Sequence, residues 1–235
     1  MATLSCKLLT ASAAAALAAA QVALAEPVTI DQVQLGNTLS NLIVEVPGEA
    51  DAATAVSTSV GNTAAALFDT GSLEFSATQT NSGDSTATSQ LRGGTVWGTA
   101  TSATTAYGNA ATGGSWNGDV AYDTTQTMTG NTSAASDIYL DSAGDLGVAT
   151  TAAANVSVSA SDYGATSGTQ TQVSAGNVSA TTDATSCCTA YSGTLLTTAA
   201  GNVQSSAGYT SNRIVTVDQT TAAGTSIAAS GSIYM

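Results

Sequence analysis

The chain has 235 residues and contains no histidine, three Lys and Arg together, two prolines and three cysteines. The missing histidine excludes Ser–His–Asp triads, imidazole general bases and His-ligated metals. Three cations against 16 Asp and Glu exclude the basic footprint that nucleic acid or anionic lipid requires. Pro27 and Pro47 both lie early, so nothing beyond them interrupts a ladder of backbone hydrogen bonds. No stretch after the first 25 residues reaches the roughly 18 apolar residues of a spanning helix. Aromatics make up only 5% of the chain. A propeller, whose blades want larger apolar residues, is therefore a weaker expectation than a thin core filled by small side chains.

Ala, Thr, Ser, Gly and Asn fill the space left by these absences. The N-terminal segment reads as a secretory signal over residues 1–25: Lys7, an Ala-rich apolar run from Leu8 to Leu24, and Ala23-Leu24-Ala25 as the cleavage site. Residues 26–235 then form a single repeat domain that starts at Glu26. It carries 16 acidic residues against Arg92 and Arg213, a net charge of −14. That excess favours solubility and long-range repulsion. Cys187 and Cys188 are adjacent, which suits two plain thiols better than a strained mutual disulfide.

A glutamine recurs at Gln32, Gln79, Gln126, Gln172 and Gln219, in steps of 47, 47, 46 and 47. Four residues after each of the first four comes Gly, followed by Asn37, Asp84, Asn131 or Asn177. Midway between them the same dipeptide returns at Asn62, Asn109 and Asn202, with Ala154-Asn155 in the remaining place. Such a fixed period marks a stacked-repeat architecture. Between the landmarks the pattern has period two: Leu42, Val44 and Val46 share one face, Val156 and Val158 another, and Ile214 to Val217 is β-branched throughout.

The fold expected is all-β: a β-solenoid, or β-helix, of about nine coils near 23 residues each, arranged as a 47-residue double repeat. The alternatives are 47-residue coils or propeller blades. In a stack, equivalent amides lie about 4.8 Å apart and bond along the axis. The residues expected to do so are Gln32, Gln79, Gln126, Gln172 and Gln219, together with Asn37, Asn62, Asn109, Asn131, Asn155, Asn177 and Asn202. The Gly before each Asn is expected to provide a positive-φ bend.

Gln-x-x-x-Gly-Asn at this spacing resembles the curlin repeat, with Ala64 and Ala111 matching the alanine two positions after Asn. The signal, the length and the Ala/Thr/Ser-rich strands with A-x-G-N steps resemble the holdfast anchor protein (HfaD-like) family of stalked alphaproteobacteria. That resemblance implies an exported, surface-attached or extracellular protein that holds adhesive polysaccharide to the cell envelope. It carries over no catalytic residue.

No catalytic, cofactor-binding or metal-binding residue is expected. Asp137, Asp141 and Asp145 read as solvated turns rather than paired catalytic carboxylates. Asn117-Gly118-Asp119 offers at most a weak calcium site. Trp97, Trp116 and the tyrosines are expected in the core more often than on a sugar. The function expected is a secreted structural or adhesion protein, not an enzyme, that anchors or assembles adhesive matrix. A curli-like amyloid subunit and a polysaccharide-active parallel β-helix enzyme are the alternatives. The partners expected are further copies of the chain or other surface adhesion proteins, with polysaccharide as a further candidate. Ile233, Tyr234 and Met235 form a candidate assembly tail.

Overall fold

The computed structural model describes residues 27–187, 191–209 and 212–235. The proposed signal at residues 1–25, and Cys188, lie outside them. The described chain forms twelve strands and no helix: β1 (Pro27–Gln34), β2 (Thr38–Ala50), β3 (Ala53–Thr70), β4 (Leu73–Asn81), β5 (Ser85–Asn117), β6 (Val120–Met128), β7 (Thr132–Ser161), β8 (Thr166–Ser174), β9 (Val178–Ser186), β10 (Ser192–Ala207), β11 (Arg213–Thr221) and β12 (Ile227–Tyr234).

All the pairing is parallel. One sheet runs β1-β4-β6-β8-β11. The other runs β12-β9-β7-β5-β2, with β3 also on β5 and β10 also on β7. Each strand lies beside the one a full repeat later. Gln32 pairs with Gln79, Gln79 with Gln126, Gln126 with Gln172 and Gln172 with Gln219. On the other sheet Asn62 pairs with Asn109, Asn109 with Asn155 and Asn155 with Asn202.

This register corrects the 23-residue coil and the count of nine: the stacking step is the 47-residue repeat. The two half-repeats never stack on one another, because their side chains differ. Only the whole period sets Gln over Gln and Asn over Asn. Propeller blades are likewise set aside, since those belong to antiparallel architectures and every ladder here is parallel.

Within one repeat the chain makes three passes. The first is the short glutamine-bearing strand (β1, β4, β6, β8, β11). The second is the early part of the other sheet (β2, the start of β5 and of β7, β9, β12). The third is the long Asn-bearing pass (β3, the rest of β5 and of β7, β10). β5 and β7 run continuously through the bend that elsewhere separates two strands, with register breaks at Val46/Glu49 and Val96/Thr99. Gly93 sits at this bend with φ +135°. A side chain there would also meet the Val46 backbone.

The third pass packs first on the second pass and then on the first, which gives an interior with three compartments. Leu91, Ile138, Leu140, Leu146 and Val148 fill one end, and Leu73, Phe75, Val120 and Tyr122 the other. Between them lies a waist made mostly of alanine: Ala87, Ala106, Ala134, Ala152, Ala154 and Ala180, with Met128 and Val178. Small residues let the sheets approach closely there, and that brings the amide side chains within reach of the opposite backbone.

Phe75 and Tyr122, on successive repeats, stack with centroids 5.1 Å apart and planes 12° apart. The Ser157 hydroxyl lies 3.1 Å from the phenol oxygen. Burial pushes the Tyr122 phenol up to about 12 from 10.0. The raised value means that the folded chain holds the neutral form. Its contribution is complete below about pH 10 and is lost as pH rises through about 12, on the order of 2–3 kcal/mol. Tyr122→Phe is expected to remove this part of the alkaline loss. Urea midpoints compared between the two proteins from pH 9 to pH 12 check it, and identical slopes would refute it.

Candidate functional site: two buried amide ladders and an exposed aromatic row

Alternation along the first-pass strand turns Gln79, Gln126 and Gln172 inward, each with no exposed surface. Their Nε2 atoms donate to the Oε1 of the preceding repeat: Gln79 to Gln32 at 2.8 Å, Gln126 to Gln79 at 2.8 Å, Gln172 to Gln126 at 2.8 Å and Gln219 to Gln172 at 2.6 Å. The second N–H crosses the core to a third-pass carbonyl. Gln32 reaches Thr63, Gln79 Ala110, Gln126 Val156 and Gln172 Val203, at 2.8–3.0 Å. Each of these carbonyls belongs to the residue just after a ladder asparagine.

The asparagines mirror this arrangement. Asn62 donates to Asn109, Asn109 to Asn155 and Asn155 to Asn202, each at 2.8 Å. Their second N–H bonds go to Thr80, Thr127, Val173 and Thr220, the residues just after the glutamines. The two columns run with opposite polarity. Glutamine amides donate toward the N-terminal repeat and asparagine amides toward the C-terminal one. A carbonyl on the facing strand fixes which amide atom is nitrogen, so the sense of each column is set by the backbone. Chains of hydrogen bonds in a dry interior polarise one another, which strengthens every member.

Asn37, Asn131 and Asn177 belong to a third column at a different corner, which a 23-residue coil would merge with the second. There the side-chain oxygen accepts a backbone N–H of the next repeat. Asn37 takes that of Asp84 at 2.9 Å, Asp84 that of Asn131 at 2.8 Å, Asn131 that of Asn177 at 3.0 Å and Asn177 that of Ser226 at 2.9 Å. An aspartate can stand in this column because the bond to the next repeat needs only a side-chain oxygen; the Asn131 amide also donates to Asp84 Oδ1 at 3.2 Å. The preceding glycines are not positive-φ bends: among the described residues only Gly71, Gly93, Gly168 and Gly224 have that geometry. Gly83, Gly130 and Gly176 are required instead because a Cβ on each would overlap the carbonyl of the glycine one repeat below.

Other buried polar groups were not evident from the sequence. Asn81 donates to the Gly108 carbonyl at 3.0 Å and accepts from the Gly83 N–H at 3.0 Å. Its column otherwise holds Gln34, Met128, Ser174 and Thr221, so no period signals it. Gln170 is buried in the column of Ala77, Thr124 and Val217. Neither of its amide atoms has a hydrogen-bond partner among the described residues.

The aromatic residues largely reverse their expected placement. Tyr122 is buried, but Trp97, Trp116, Tyr139, Tyr163, Tyr191, Tyr209 and Tyr234 are exposed. Three of them form a row at the corner between the third pass and the next first pass. Trp116 and Tyr163 meet edge-to-face at 5.7 Å, and Tyr163 and Tyr209 at 6.2 Å. Of the tail, Ile233 packs against the apolar compartment containing Leu140, while Tyr234 and Met235 are exposed.

Several acidic residues make local contacts. Asp119 accepts the Ala165 N–H at 2.8 Å, Asp145 the Ser192 hydroxyl at 2.7 Å, and Asp137 pairs with Arg92 at 2.6 Å. No group of three or more potential metal ligands lies among the described residues. No helix among them is long and apolar enough to cross a membrane. Cys187 is exposed and carries a free thiol.

No curated protein and no solved structure matches the chain. A family model, holdfast attachment protein D (HfaD), matches residues 47–235. The match takes in every ladder asparagine from Asn62 onward, the last four ladder glutamines and the aromatic row. The match covers most of the chain, which therefore belongs to the HfaD family of holdfast attachment proteins.

Proposed function

We propose that the protein is a non-enzymatic, rod-like β-solenoid, exported by means of residues 1–25, that fastens adhesive matrix to the cell surface. The observation that carries this reading is the pair of continuous amide columns through the interior. The ladder amides and the facing backbone satisfy one another, so the interior of the stack serves cohesion rather than chemistry. A rod bonded along its length in this way resists unzipping under load, because adjacent repeats are tied by backbone pairing and by two further rows of side chains. The exposed Tyr234 and Met235, at the end of the exposed strand β12, offer the surface on which a further copy or another adhesion protein would pair.

The test is retention of adhesive material by holdfast-bearing cells. Cells deleted for the gene are expected to shed the material under flow, and antibody is expected to find the protein on intact wild-type cells. Unchanged retention, or protein reachable only after lysis, would overturn the reading.

A further inference from the structure

Trp116, Tyr163 and Tyr209 stand on three successive repeats, and each is more than half exposed, at 59%, 53% and 80%. Backbone and side-chain hydrogen bonds hold the corner beneath Trp116 and Tyr163. The Tyr163 N–H bonds to the Trp116 carbonyl at 3.2 Å, the Ser161 hydroxyl to the Gly118 carbonyl at 2.9 Å and the Gly164 N–H to Ser161 at 3.0 Å. Trp116 and Tyr163 are therefore held one repeat apart, and the Tyr209 ring follows 6.2 Å from that of Tyr163. They also differ from the buried Phe75–Tyr122 pair, whose planes lie nearly parallel and cover one another. The outer rings meet at interplanar angles of 73° and 67°, so they do not close into a stack of their own.

Around the row the chain offers carboxylates. Asp69 falls opposite Trp116, between the register pairs Phe68 with Ser115 and Thr70 with Asn117. Asp119 follows the same corner and Asp162 precedes Tyr163. Arg213 is the cation nearest in sequence, and its guanidinium lies 3.4 Å from the Ser206 carbonyl.

These features select among occupants. A stable protein interface needs about 800 Å² on each partner, and a line one ring wide between Asp, Ser and Gly does not offer that. Anionic lipid and nucleic acid are repelled by the carboxylates. A sugar ring presents a face of C–H bonds to an aromatic plane and hydroxyls to its sides. A line of rings at roughly one-hexose intervals with acidic flanks suits a chain of such sugars, uncharged or carrying amino groups. An ammonium would gain from both the rings and the carboxylates.

We propose that Trp116, Tyr163 and Tyr209 form a binding strip for a linear polysaccharide of neutral or amino sugars. The proposal deepens the attachment reading and rests on it, by assigning the matrix contact to one corner of the stack.

The test uses the purified protein with Trp97→Phe, which leaves Trp116 as the one tryptophan reporter. Glucosamine hexamer, N-acetylglucosamine hexamer and polygalacturonate are the probes, followed by fluorescence and calorimetry. The two hexamers are expected to bind and to change Trp116 emission, and polygalacturonate is expected to do neither. Tyr163→Ala should weaken hexamer binding by about tenfold or more while leaving the unfolding midpoint within error. Tyr163→Phe should restore it to within about threefold, because the ring and not the hydroxyl makes the contact. Equal binding by wild type and Tyr163→Ala would overturn the strip, as would polygalacturonate binding as tightly as the hexamers. Absence of hexamer binding, with Tyr163→Ala instead abolishing self-association, would overturn it in favour of a protein contact. The retention experiment separates the two levels. Cells that keep their matrix while the strip binds no sugar sink this inference alone, and cells unaffected by gene deletion sink the attachment reading beneath it.

Discussion

Gln126→Leu is expected to lower the free energy of unfolding by about 3–5 kcal/mol. Leucine has nearly the same volume, so the cost does not come from a cavity. It comes from the groups left behind. Gln79 Oε1 and the Val156 carbonyl each lose a donor, and the Gln172 amide loses its acceptor. All three lie in the dry interior. An orphaned buried polar group costs about 1–3 kcal/mol, and water cannot reach these without opening the sheets.

The neighbours cannot close the gap either, because Gln79 and Gln172 are two repeats apart, about 9.6 Å at ordinary strand spacing. Gln34→Ala is the control. That side chain is half-exposed and bonds only locally, to the Gly36 carbonyl at 2.7 Å, so its loss should stay within about 0.5 kcal/mol. Gln79→Leu combined with Gln126→Leu should cost clearly less than the two single changes summed, since they share one ladder bond. Denaturant unfolding of the wild type and the four variants measures this. A Gln126→Leu cost below about 1 kcal/mol, or strict additivity of the pair, would show that the column is not cooperative.

The same glutamines also show what the sequence discloses and what it hides. Their period, and the strand alternation around them, are visible in the letters alone, because a stacked interior forces like residues to equivalent positions. The stacking distance was harder to read. Gly-Asn marks the corner at Gly36 and the middle of strand β3 at Gly61 with the same two letters, yet the residues act differently there. Asn37 needs only an oxygen for a backbone N–H, which explains why Asp84 can replace an asparagine in that column. Asn62 uses both hydrogens of its amide and meets another amide, and no aspartate stands in its column. The tolerance for Asp in one series and its absence in the other was the available clue that the halves do not stack.

The aromatic row was hidden for a different reason. Burial of a ring near a corner depends on which side of the bend it falls, and period two carries no information across an irregular turn. Phe68 and Trp116 occupy similar places in their repeats. One packs partly onto the compartment around Tyr122, and the other faces outward.

Gly130→Ala is expected to be the other severe substitution, costing at least about 3 kcal/mol, although it adds one methyl group and Gly130 has an ordinary φ. The reason is the column of glycines formed by Gly36, Gly83, Gly130 and Gly176. A Cβ on Gly130 would overlap the Gly83 carbonyl, and one on Gly176 would overlap that of Gly130. The obstacle is backbone, not the movable end of a side chain, so relief requires two repeats to separate. Separation stretches the neighbouring bonds from Thr129 to Asn81 at 2.9 Å and from Ser85 to Asn131 at 2.9 Å.

Gly147→Ala supplies the contrast. That glycine has only the Thr101 hydroxyl, at 3.8 Å, near its Cβ position. Alanine there should be neutral or stabilising by about 0.4–1 kcal/mol, through the smaller entropy of the unfolded chain. Two glycines in one strand-rich chain thus respond in opposite directions to the same methyl group, and the sign is set by whether the repeat below presents a carbonyl or open space. Thermal and urea unfolding of the two variants decides it. If Gly130→Ala were as stable as the wild type, the close backbone contact between repeats would not be the determinant of the 47-residue stack. Asn131, whose side-chain oxygen accepts from Asn177, would then have to set the spacing at that corner on its own.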